Sequence, residues 1–214
     1  MSRIAIKTCG LSTLQTVDAA IGAGASHVGF VFFPKSPRHV EADRAGALAA
    51  RVPGHVEKVG VMVNPDDALL DNMVRAAGLT AIQLHGQETP ERVAAIRRHM
   101  GIPVWKAISV KTRADLDAGA AYMGAADMLL YDAKTPAGSD LPGGMGLRFD
   151  WTLLRDFRPA MPWGLSGGLD PANVAQAIAM TGAPLVDVSS GIESAPGIKD
   201  VDKIAAFCNA ASAC

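Results

Sequence analysis

With three cysteines, no CxxC pair and no excess of either charge, this 214-residue chain lacks the marks of several protein classes. Cys9, Cys208 and Cys214 are odd in number, widely spaced and form no metal-ligand pattern with the five histidines. Neither a disulfide framework nor a metal site is expected, and a reducing, cytoplasmic compartment fits best. A net charge of −1, with Lys and Arg scattered along the chain, gives no field for nucleic acid or an anionic membrane. No run approaches the ~20 apolar residues that a membrane span requires. The opening MSRIAIKTCGLS has no basic flank before a long apolar stretch, so it does not read as a signal peptide. Linkers and low-complexity tracts are missing too, and a single domain over 1–214 is expected.

What is present is a regular alternation. Short apolar, β-branched runs stand at IAIKTC (4–9), HVGFVFF (27–33), KVGVMV (58–63), AIQLH (81–85), PVWKAI (103–108), DMLLYDA (127–133), PWGLS (162–166) and LVDVSS (185–190). Their starts fall roughly 22 to 35 residues apart, the period of a strand–loop–helix unit. Several are apolar at nearly every position, as in a parallel sheet buried on both faces. Ser12-Thr13, Pro65-Asp66-Asp67, Thr89-Pro90-Glu91 and Asp170-Pro171 supply helix starts, some with proline in the tolerated first turn. Eight strands with seven or eight helices predict an α/β fold, a minimal (β/α)₈ TIM barrel. A doubly wound open sheet is the rival, but eight full strands at this length favour closure. The one long irregular stretch, KTPAGSDLPGGMGLRFD (134–150), reads as a lid or binding loop.

Barrels place their chemistry at the C-terminal ends of strands, so polar residues there come first. Strand one ends in Lys7-Thr8-Cys9-Gly10, which puts a thiol at the barrel mouth. Cys9 is either a small buried hydrophobe or a base whose surroundings lower its pKa from about 8.5. Strand six ends in Tyr131-Asp132-Ala133-Lys134, where Asp132 either caps a loop or acts on a ligand. Cys9 and Asp132 sit well apart around the ring and can approach opposite sides of one small molecule, the layout for moving protons within it.

Two glycine-bearing turns, Ser166-Gly167-Gly168 after strand seven and Ser189-Ser190-Gly191 after strand eight, suggest a phosphate site. Backbone N–H groups there can face an anion, and barrels often bind phosphate at those two loops. Arg38, after strand two, is either a solvated side chain or a bidentate clamp for a carboxylate. His85, at the end of strand four, is a proton relay or a structural histidine. Asp187 lies inside strand eight, where an acid needs a partner; it orients a sugar hydroxyl or anchors the loop.

In order along the chain, KTCG, GFVFFPKSPR, VGVMVN, IQLHG, LLYDAKTP, GGMGLRFDW, LSGGLDPANV and VDVSSGIESAPGIKD resemble the phosphoribosylanthranilate isomerase family. The likeness runs over essentially the whole chain. It implies an Amadori rearrangement of N-(5-phosphoribosyl)anthranilate in tryptophan biosynthesis, with Cys9 as general base and Asp132 as general acid. It implies Arg38 on the anthranilate carboxylate, the two glycine turns on the phosphate, and no cofactor. Thr8 stands where the family usually has an apolar residue, and the loop after Asp132 is longer than in the shortest members. A related histidine-pathway isomerase is expected to carry an acid at the end of strand one, and Cys9 argues against it. Indole-glycerol-phosphate synthase needs a catalytic lysine and an N-terminal extension that are not found. A non-catalytic phosphosugar-binding barrel would not need both Cys9 and Asp132. Whether the protein is a monomer or a homodimer stays open.

Overall fold

The computed structural model describes residues 4–135 and 143–214. Apolar residues on both faces let eight short segments pair side by side in parallel. They are β1 (Ala5–Cys9), β2 (His27–Phe32), β3 (Glu57–Met62), β4 (Ala81–Leu84), β5 (Val104–Val110), β6 (Met128–Ala133), β7 (Trp163–Leu165) and β8 (Leu185–Val188). Each bonds to the next in chain order, and β8 returns to β1 with Asp187 beside Lys7 and Val188 beside Thr8. An open doubly wound sheet would leave both of those strands as edges, so this pairing excludes it. The (β/α)₈ expectation holds, and every expected strand forms within a residue or two of its sequence bounds.

Outside the barrel lie α1 (Leu14–Gly22), α2 (Ala42–Ala49), α3 (Asp67–Ala77), α4 (Pro90–Met100), α5 (Arg113–Asp117), α6 (Val174–Thr181) and α7 (Val201–Ser212). Three starts read from the sequence are real caps: Thr13, Asp66 and Thr89 accept the N–H of Thr16, Leu69 and Arg92. The fourth is displaced. Asp170 bonds the N–H groups of Ala172 and Asn173 and so closes a tight turn, which delays α6 to Val174. After β6 the described residues hold only a 3₁₀ turn at Trp151–Leu154, so seven α-helices accompany the eight strands, within the seven or eight expected. No helix of the described residues is long and apolar enough to cross a membrane.

Strand alternation divides the apolar side chains in two. One set, including Ile6, Phe30, Phe32, Met62, Ile82 and Leu84, faces outward and packs beneath the helices. The other points inward in layers. Val59, Ala81, Trp105, Leu130 and Leu185 fill the lower interior, while Cys9, Val31 and Val61 lie together above. The barrel is thus plugged with side chains below and open only at the C-terminal strand ends, where the polar residues sit.

Candidate active site

The upper end of the barrel holds a pocket that gathers most of the residues singled out from the sequence. Cys9, Arg38, His85, Asp132, Gly167, Gly168, Asp187, Ser189 and Ser190 all line it. Gly191 is not in its wall; its backbone packs so tightly on the Leu169 carbonyl that a Cβ would collide with it. Of the loop at 134–150, residues 136–142 lie outside the described residues, and Gly143 to Leu147 form one side of the pocket.

Cys9 is 6% exposed. Its thiol fits because the residue beside it in β2 is Gly29, where a Cβ would come within 2.8 Å of Sγ. Burial pushes the thiol above its ordinary pKa, and Lys7 works in the opposite direction. Asp132 faces the same pocket from β6 and is 3% exposed. Its Oδ1 accepts the N–H of Ala133 at 2.9 Å. The turn after β7 passes close by: Gly167 has φ +90°, and a Cβ there would lie 2.8 Å from Oδ1 and 2.5 Å from the Ala133 nitrogen. Oδ2 lies 3.1 Å from His85 Nε2, close enough for a charge contact but off the line of a hydrogen bond. The backbone of Gly143 covers both groups, since a Cβ there would be 2.6 Å from Oδ2 and 2.8 Å from the imidazole. A carboxyl group set against an imidazole and shielded from water can hold or deliver a proton at this point.

Arg38 is buried at the rim, and much of its fork is already occupied. Nε and Nη2 donate to the two oxygens of Glu193 at 2.7 and 2.8 Å, and Nη2 also donates to the Gly144 carbonyl at 2.9 Å. Nη1 makes no hydrogen bond among the described residues, and the Gly144 backbone packs beside it, where a Cβ would come within 2.8 Å. Glu193 also accepts from Lys199 Nζ at 2.7 Å, and Lys199 in turn donates to the carbonyl and hydroxyl of Ser189. Burial opposes the charge on Glu193, but Arg38 and Lys199 outweigh it and hold the carboxyl below its ordinary pKa. Ser189 Oγ donates to the Cys9 carbonyl at 3.2 Å. One polar chain thus links the guanidinium, the turn after β8 and the end of β1. Asp187 has its partner in Lys7, 2.9 Å away. Among the described residues, no group of three or more His, Cys, Asp or Glu could hold a metal ion.

The family-wide sequence description of N-(5′-phosphoribosyl)anthranilate isomerase matches residues 6–210. The chain belongs to this family. A relative of that name from Zymomonas mobilis subsp. pomaceae is 58% identical over 205 residues, covering 95% of this chain and 96% of that protein. One from Paramagnetospirillum magneticum is 54% identical over 208 residues, with 97% of each chain covered. The crystal structure of phosphoribosylanthranilate isomerase from Thermotoga maritima superposes with a TM-score of 0.89 at 35% identity, over 99% of this chain and all of that one. A phosphoribosylanthranilate isomerase in complex with reduced 1-(o-carboxyphenylamino)-1-deoxyribulose 5-phosphate superposes with a TM-score of 0.84 at 34% identity, over 99% of this chain and all of that one.

Several residues around this phosphoribosylanthranilate isomerase pocket escape a reading of strand ends alone. Glu193 and Lys199 belong to a hairpin, β9 (Glu193–Ala195) and β10 (Ile198–Lys199), signalled only by Pro196-Gly197. Lys7 could have been found by alternation, because it shares the inward face of β1 with Cys9. Glu88 and Lys106 brace the segment after His85. Their charges lie 3.0 Å apart at 2% and 3% exposure, and Glu88 also accepts the N–H groups of Asn64 and Gly86. Glu88→Gln should leave the Lys106 charge buried and unpaired and cost about 3–5 kcal/mol. Urea unfolding measures it, and a loss under about 1 kcal/mol would mean that the bracing is dispensable.

Proposed function

We propose that the pocket converts N-(5-phosphoribosyl)anthranilate to 1-(2-carboxyphenylamino)-1-deoxyribulose 5-phosphate with Cys9 as general base and Asp132 as general acid. Family membership makes the chain an isomerase of tryptophan biosynthesis; the residue roles are those the family resemblance implies, and the shared pocket supports them. Asp132 gives a proton to the ribose ring oxygen as the bond from C1′ to that oxygen breaks, leaving a protonated Schiff base. Cys9 then takes the proton from C2′, and the electron pair moves to form an enolamine. Tautomerisation of the enolamine places a proton on C1′ and gives the ketone. The observation that carries this reading is that Cys9 and Asp132, from β1 and β6, face one pocket whose wall also holds Arg38, the Gly167-Gly168 turn and Ser189-Ser190.

The turns at Gly167-Gly168 and Ser189-Ser190-Gly191 take the phosphate through backbone N–H groups. Arg38 takes the anthranilate carboxylate, and Asp187 serves a ribose hydroxyl with the oxygen that Lys7 does not hold. His85 positions the Asp132 carboxyl. The substrate is the sole partner this reading needs. Residues 1–214 act as one barrel domain in the cytoplasm, consistent with the odd, scattered cysteines. Its state is monomer or homodimer, and the Thermotoga maritima relative is described as dimeric.

Purified protein mixed with phosphoribosylanthranilate should quench the substrate's anthranilate fluorescence in proportion to enzyme; a rate equal to the uncatalysed background would overturn the proposal. Arg38→Lys should raise KM more than it lowers kcat, because an ammonium replaces a planar fork and no longer satisfies Glu193 bidentately. A fall in kcat at constant KM would place Arg38 in the transition state instead.

A further inference from the structure

Lys7 is given no task in the steps above, yet it is the group best placed to act on Cys9. It is 0% exposed and donates to Asp187 Oδ1 at 2.9 Å. Alternation along β1 puts it on the inward face one pleat below Cys9. A buried ion pair is a poor way to stabilise a core, since well-packed apolar residues often serve as well or better. The neighbouring interior positions Val59, Leu130 and Leu185 are indeed apolar. The pair therefore asks for a reason other than stability, and the nearest chemistry is the thiol.

A buried thiol is a weak base because burial disfavours its anion, and Cys9 is held above the ordinary thiol range. The charged groups that act on it are few. Lys7 favours the thiolate from within β1, and Asp187 on β8 opposes it. Lys199 on β10 also favours it, but is bonded to Glu193 and Ser189. Asp132 faces the pocket from β6, and the Arg38 side chain packs against Gly10. His27, which lies beside Lys7 in β2, contributes no charge near neutral pH, since burial and then Lys7 lower its pKa to about 4. Lys7 itself stays charged: burial works against its ammonium, but Asp187 leads the groups that oppose this, and its pKa lies above the usual lysine value.

We infer that Lys7 is a positioning residue for the isomerisation, its ammonium stabilising the Cys9 thiolate from the floor of the pocket while Asp187 fixes the ammonium. The inference rests on the reading of Cys9 as the base. It assigns the buried pair a task and explains how a thiol with little access to water can take a proton from carbon.

The test follows alkylation of Cys9 by iodoacetamide against pH, with the Cys9 peptide quantified by mass spectrometry so that Cys208 and Cys214 do not contribute. In Lys7→Met the midpoint of the pH profile should move upward and the rate at pH 7 should fall about tenfold or more, tenfold being one pKa unit. Turnover should fall in parallel with KM little changed, and the low-pH limb of kcat should move with the thiol. Lys7→Arg keeps the charge and should recover most of both. If Lys7→Met fails to fold because Asp187 is left uncompensated, Lys7→Met with Asp187→Asn removes both charges. Its midpoint should still lie above wild type, because Lys7 acts on the thiol more strongly than Asp187. An unmoved midpoint in the single variant, or a double-variant midpoint at or below wild type, overturns the role of Lys7 alone. Near-wild-type turnover in Cys9→Ser would instead remove Cys9 as the base, and Lys7 with it.

Discussion

Asp132→Asn should lose on the order of 10²- to 10⁴-fold in kcat and in kcat/KM alike, the range for a general acid, with the fold and phosphate binding intact. The ribose ring oxygen is a poor leaving group, and opening the ring without a proton develops alkoxide charge. Asparagine keeps the shape of the side chain and can still accept the Ala133 N–H that Asp132 receives at 2.9 Å. It can donate a hydrogen bond but cannot transfer a proton, so the loss isolates the acid function from the packing. Steady-state kinetics give the two constants, and binding of inorganic phosphate or a product analogue reports whether the rest of the pocket survives. If the variant keeps full activity, the proton comes from elsewhere. His85, 3.1 Å from the carboxyl group, is then the first residue to replace.

Cys9→Ser is expected to lower turnover at least ~100-fold with little change in substrate binding. A hydroxyl is smaller than a thiol and far harder to ionise, so it fits the space beside Gly29 but does not take the proton from C2′. Iodoacetamide should inactivate the wild-type enzyme, and a substrate analogue should protect it. Because burial raises the Cys9 pKa, the thiolate is the minor form in the unliganded enzyme at neutral pH. Activity should therefore rise with pH as the thiol loses its proton, a rise expected to vanish in Cys9→Ala. Turnover in Cys9→Ser near that of wild type would take Cys9 out of the mechanism.

The limits of sequence reading show at particular residues. The caps at Thr13, Asp66 and Thr89 were legible because they act within one helical turn. Asp170-Pro171 has the same signature, and Asp170 likewise accepts the N–H three residues on, at Asn173, but the chain makes a separate turn there before the helix begins at Val174. The seven helices fall within the seven or eight expected, but composition marks 134–150 only as irregular and does not say that the unit without an α-helix is the one after β6, where a 3₁₀ turn stands at Trp151–Leu154. Arg38 was legible as a candidate clamp. Its capture by Glu193 was not, because 155 residues separate the two and only the hairpin after β8 brings them together.

By itself the sequence determined the eight-strand α/β order, the position of Cys9 and Asp132 at strand ends, and the glycine turns after strands seven and eight. Each of these depends on periodicity or on a few adjacent residues, and strand alternation alone sets which side chains face inward. Tertiary structure decided the rest. Pairing of β8 with β1 closed the ring and set Asp187 beside Lys7, a contact between residues 180 positions apart. Closure also folded the β9–β10 hairpin over Arg38 and placed Gly143 across Asp132 and His85. Such contacts depend on register and on how a ring of strands closes, and no stretch of chain carries that information locally. The candidate groups could be named from the sequence, and alternation alone sets Lys7 on the same face as Cys9, whereas the pairings of Lys7 with Asp187 and of Arg38 with Glu193 could be found only once the barrel had closed.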